Sequence, residues 1–176
     1  SEADALISEY DSLNLDIIPD SLKTAANSAK SDIATAKANA STTQEQFNAL
    51  VSALKNKVTE IKKLNEFNNL IKVKESAFAT AKATGKYTQE SINRYQNIIN
   101  AAKQAIQNNA QDELDGLRGS LNGMADVLQE KTIDYASATV ALAQFKSEYK
   151  TLPSAVNDGL IAKYNQLKDW TENTSA

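Results

Sequence analysis

Cysteine and histidine are both absent from these 176 residues. Disulfides, thiol nucleophiles, zinc fingers and histidine-based acid–base chemistry are therefore excluded within the chain. A metal would have oxygen ligands only, and no stretch follows the D-x-D-x-D-G calcium loop. Proline and glycine are scarce, at 2 and 5 residues, too few for a β-sandwich or barrel with a turn every ~8–12 residues. Arginine is limited to Arg94 and Arg118 and the net charge is −3, so the basic clusters that suit nucleic acid are missing. No apolar run approaches the ~18–20 residues of a membrane span, so no membrane insertion is expected. The first residue is Ser1 and no leader is recognisable, which suggests a mature form or an excised piece.

Alanine, lysine, asparagine, glutamine, glutamate and leucine fill the chain, and most of these form or tolerate helix. An all-α fold is expected. A short helix is expected over Glu2–Leu13, with Ala3, Leu6 and Tyr10 on one stripe, before Pro19 breaks the chain. A second runs over Asp20–Asn39 on a thin stripe of Leu22, Ala25, Ala26, Ala29, Ile33 and Ala36. A third opens at "STTQEQF", with Thr42 as N-cap and Glu45 three residues on. Phe47, Val51, Leu54, Val58 and Ile61 follow, and Leu64, Phe67, Ile71, Phe78 and Ala81 continue in a shifted phase to the stop at Gly85. That is roughly forty helical residues, against an average of about 11–12.

"KYTQESI" starts a fourth helix with Thr88 as N-cap and Tyr87 and Ile92 as a hydrophobic staple. Ile92, Tyr95, Ile99, Ala102 and Ile106 face inward as far as about Asn108. Leucines and aromatics at 3–4 spacing, Leu114, Leu117, Leu121, Met124, Leu128, Tyr135, Ala138, Leu142, Phe145, Tyr149 and Leu152, predict one long fifth helix ending at Pro153, broken in pattern only at Lys131. A last helix is expected over Ser154–Trp170. Gly116, Gly119 and Gly123 lie beside the leucine stripe, where they suit a closely approaching neighbour helix; a ligand against bare backbone and a break in the helix are the alternatives.

The chain repeats. Ala29, Lys30 and Ile33 fall on Ala102, Lys103 and Ile106; Gln44, Phe47, Leu50, Leu54 and Ile61 fall on Gln111, Leu114, Leu117, Leu121 and Leu128. "SEYD" and "SEYK" head the first and last copies. A unit of about 70 residues with three helices results, its third helix running into the first helix of the next unit. The expected architecture is a row of tandem three-helix bundles sharing long helices, spectrin-like, with units at 1–63 and 64–130 and a partial helical pair at 131–176. The junction residues are Ile61, Leu64, Phe67, Leu128, Lys131 and Tyr135.

"KYTQES…IINAAKQAI…AQDELDGLRGSLNGMADVL" resembles the FIVAR type of helical module, named for being found in various architectures. The resemblance is best over 86–130 and weaker over 19–61. The three glycines and the longer turn at "STTQEQF" depart from it. It implies a stalk or spacer segment of a large secreted or wall-attached Gram-positive protein, hence an extracellular or cell-wall setting, neighbouring domains as partners and no catalytic residues. No cofactor and no metal are expected.

Function follows from that shape. Carboxylate pairs such as Asp112 with Asp115 and Asp126 with Glu130 sit at helical spacing on what reads as a solvated face. The chain is not expected to be an enzyme. Tyr10, Tyr87, Tyr95, Tyr135, Tyr149, Tyr164 and Trp170 could stack on sugars, but apolar stripes hold most of them. The sequons at Asn39 and Asn173 are expected by chance in an asparagine-rich chain. A non-catalytic spacer is the first reading. The alternative is an adhesin-like binding module taking a host protein or a cell-wall or host glycan on a helix face. A coiled-coil oligomerisation element is a third.

Overall fold

A computed structural model describes residues 1–132 and, beyond them, 140, 141, 143–145, 147, 148, 162 and 165. Contacts group the chain into two compact units, Ser1–Glu130 and Lys131–Ala176. The described residues are all-α, with one isolated antiparallel bridge between Tyr87 and Glu130 in place of any strand. Helices run over Glu2–Asp11 (α1), Asp20–Ala38 (α2), Gln44–Ala83 (α3), Gln89–Gln107 (α4), Leu114–Asn122 (α5) and Met124–Val127 (α6), with a 3₁₀ turn at Gln111–Glu113 before α5.

Local chemistry sets these ends. Ser1 and Asp4 form a capping box at the start of α1, so two of the orphan backbone donors there are satisfied. The cap of α3 is Thr43 rather than Thr42, and its box partner is Gln46 rather than Glu45. Both readings of "STTQEQF" offer a hydroxyl followed by a long polar side chain, and the chain closes one residue later. Thr88 caps α4 as the sequence predicts, its side chain accepting from the Ser91 N–H at 3.3 Å. Gly85, at φ 67, takes the left-handed conformation that ends α3 without a Cβ penalty.

α3 is one helix of 40 residues, about 60 Å long at ~1.5 Å per residue. α1 and α2 pack on it, as do α4 and α5. One continuous core results, from Ala3 and Leu22 through Ile61 and Leu64 to Tyr95 and Leu128. The thin stripe of α2 is real: Leu22, Ala26, Ala29 and Ile33 are buried, while Ala25 is exposed. Small side chains let that helix lie close against α3.

The long fifth helix is not formed as predicted. α5 ends at Asn122, Gly123 caps it, and α6 is a single turn before Leu128 turns extended at ψ 119. Gly116, Gly119 and Gly123 together weaken the helix here, and a competing arrangement takes its end. The Gln129 carbonyl accepts from the Thr88 N–H at 2.9 Å, which satisfies the backbone donor of the residue that caps α4. Leu128 is buried all the same, so its place on the leucine stripe was compatible with either backbone. The glycines do not admit a close neighbour helix. A Cβ at Gly116 or Gly119 would meet nothing within 4 Å, and at Gly123 it would meet only local atoms at 3.6 Å or more. The helix-break alternative holds at Gly123.

Candidate functional site

The sequence singles out a mid-helix junction rather than a pocket. In α3 the apolar steps of three at Ile61, Leu64 and Phe67 rotate the buried face, and all three side chains are fully enclosed. A four-then-three spacing follows one side of a helix, whereas two successive threes carry it around. α3 thereby offers one face to α1 and α2 and a rotated face to α4 and α5.

Polar contacts from both directions meet on this stretch. Lys62 pairs with Glu9 of α1. Asn65 donates its Nδ2 to the Asn14 carbonyl at 2.9 Å, in the segment joining α1 to α2. From the other side, Gln111 donates its Nε2 to the Glu60 carbonyl at 3.3 Å and to Asn109 Oδ1 at 2.7 Å. Asn109 Nδ2 reaches Glu60 Oε2 at 3.4 Å, and Lys57 holds the other oxygen of that carboxylate at 2.9 Å. Arg118 of α5 sits over the Phe67 ring, 5.9 Å from its centroid. Asn109 itself has φ 51, the left-handed residue after α4 that asparagine tolerates.

The remaining predicted junction residues lie apart. Leu128 is buried at the far end beside Tyr87 and Thr88, Lys131 is exposed and outside any helix, and Tyr135 lies outside the described residues. A proline at Lys131 therefore has no helix to interrupt. Nothing in the sequence marked the Gln129 and Leu121 carbonyls, because backbone acceptors have no side-chain signature. The Tyr95 hydroxyl donates to the Leu121 carbonyl at 2.6 Å, in full burial.

No family model, curated protein or solved structure matches this chain. The internal repeat supplies the comparison instead. Ala29 and Ala102 are both buried, as are Ile33 and Ile106, Leu54 and Leu121, and Ile61 and Leu128. Leu50 and Leu117 are both half-buried. Lys30 and Lys103 each reach an acid on a neighbouring helix, Asp11 and Glu75, at 2.5 Å.

The other candidate residues divide between surface and core. Asp112, Asp115, Asp126 and Glu130 are exposed. Tyr10 and Tyr95 are core residues, and Tyr87 is half-buried. Tyr135, Tyr149, Tyr164 and Trp170 lie outside the residues whose side chains are described. Surface troughs of about 330, 410 and 310 Å³ lie beside Phe47, Ile98 and Leu50. Groups with displaced pKa line none of these troughs. Burial raises the Tyr10 and Tyr95 phenols. A hydrogen bond from Lys37, with Ser1 and the chain's amino terminus, holds Asp4 below the ordinary carboxylate range, and Lys23 does the same for Asp20. Among the described residues no helix is long and apolar enough to cross a membrane.

Proposed function

We propose that this chain is a non-catalytic spacer built from helical repeats that share a helix, holding neighbouring domains of a larger protein at a set distance. In this reading α1, α2 and the first half of α3 make one three-helix bundle, and the second half of α3 with α4 and α5 makes the next. A secreted or wall-attached setting rests on the FIVAR resemblance.

One observation carries the proposal: the Ser1–Glu130 unit begins and ends at opposite ends of α3. Ser1 lies beside Gln44 and Phe47 at the helix start. Glu130 pairs with Tyr87, four residues past its end. Chain termini of ordinary domains often lie close together, which suits insertion but wastes length. Here the backbone enters and leaves about 60 Å apart, across a helix with no loop in its middle. Bending at the junction must break the Glu60, Lys62 and Asn65 contacts and open the enclosed Ile61, Leu64 and Phe67 cluster.

The natural absence of cysteine permits a clean test. Spin labels on cysteines placed at exposed Glu45 and Lys82 are expected to report one narrow distance distribution at about 55 Å, from 37 residues of α3 at ~1.5 Å each. A proline at exposed Lys63 should shorten and broaden it. A short or broad distribution in the unmodified helix would sink the spacer reading.

A further inference from the structure

We propose that the Asn122–Gly123 peptide is a site of spontaneous covalent modification whose product unlatches the end of α5. It is the single Asn-Gly pair in the sequence. Asn122 is exposed and is the last residue of α5. Gly123 has no side chain to shield its amide nitrogen; the atoms nearest to where a Cβ would stand are the Gly119 and Ser120 carbonyl oxygens at 3.6 Å and Asp126 Oδ2 at 3.7 Å.

The chemistry is an intramolecular acyl transfer. The Gly123 backbone nitrogen gives up its proton and attacks Cγ of Asn122. The bond from Cγ to Nδ2 breaks, Nδ2 takes up a proton and leaves as ammonia, and a five-membered succinimide remains, closed by the new bond from Cγ to the Gly123 nitrogen. Water then opens the ring at either carbonyl, leaving aspartate or, with the backbone rerouted through the side chain, isoaspartate. In the closed helix that nitrogen is occupied, its N–H donated to the Gly119 carbonyl at 3.0 Å. Reaction therefore waits for the last turn of α5 to open, a local event at a glycine-rich helix end. The product keeps it open. A new negative charge appears at the last residue of α5, the negative end of its dipole, and isoaspartate adds a backbone atom one residue from the Leu121 carbonyl that holds Tyr95.

The test keeps the full chain in neutral and mildly alkaline buffer, with and without urea, and maps modified peptides over time. Gly123→Ala is the control; φ −79 is ordinary for alanine and a Cβ there would make only ordinary contacts at 3.6–3.7 Å, so the variant is expected to fold. In the folded chain Asn122 is expected to convert ahead of the other asparagines, faster at alkaline pH and slower than in urea. In Gly123→Ala its rate should fall to that of the others. The converted fraction should exchange its 114–127 amides faster than the rest. Conversion of Asn122 no faster than other asparagines in the folded chain overturns the proposed site. Unchanged exchange at 114–127 after conversion overturns the unlatching.

Discussion

Tyr95 brings a hydroxyl into a fully enclosed place, and its hydrogen bond to the Leu121 carbonyl ties α4 to α5 while its ring packs 5.0 Å from that of Phe78. Tyr95→Phe should keep the packing and leave a buried carbonyl unpaired, costing about 1–3 kcal/mol in urea denaturation. Burial raises the phenols of Tyr95 and Tyr10, so both favour the folded state in full below the ordinary tyrosine value, about 10. That contribution is lost as pH climbs from there through the folded values. Stability should fall in this alkaline window, and the fall should shrink in Tyr95→Phe. Asp4 and Asp20 have the opposite sign: their lowered values favour folding above the ordinary carboxylate range, and the gain is lost as pH drops through the folded values. Both are exposed, so salt should mask much of the acid effect.

At the scale of elements, α5 is the weak member. Gly119 is exposed in open space at an ordinary backbone conformation, so Gly119→Ala should stabilise the chain by about 0.5–1 kcal/mol, read as a shift of the denaturation midpoint. Gly85→Ala should do the reverse, because its φ of 67 is strained for any residue with a Cβ. These glycines also mark where the sequence was legible and where it was not. The forty-residue α3 could be read because Phe47 to Ala81 carry an apolar stripe with no breaker between them. The end of α5 could not, because Met124 and Leu128 keep helical spacing while the backbone leaves the helix. Beyond that end the Gln129 carbonyl pairs with the N–H of Thr88, a partner far earlier in sequence order and invisible to any local pattern. Of the junction, Ile61, Leu64 and Phe67 could be found by their change of phase. Glu60, Asn109 and Gln111 are common surface residue types and announce nothing.

At the scale of the Ser1–Glu130 unit, a helix packed by partners on both halves links their stabilities. Ile99→Ala removes a fully enclosed side chain from α4 and should cost about 2–5 kcal/mol. If α3 transmits that loss, slow amides of α2 should exchange faster as well; protection in α2 that stays unchanged would mean the halves open separately. The long helix α3 also acts as a gear. One residue inserted between Lys63 and Leu64 advances everything beyond it by about 100° and ~1.5 Å, turning the face that α4 and α5 need out of reach. An insertion of about seven residues brings that face back to within about 20°, displaced by two turns. The number of residues in α3 therefore sets an angle as well as a length, and such a helix keeps its distal partners within about 20° only when it grows by particular numbers, about seven, eleven or eighteen residues.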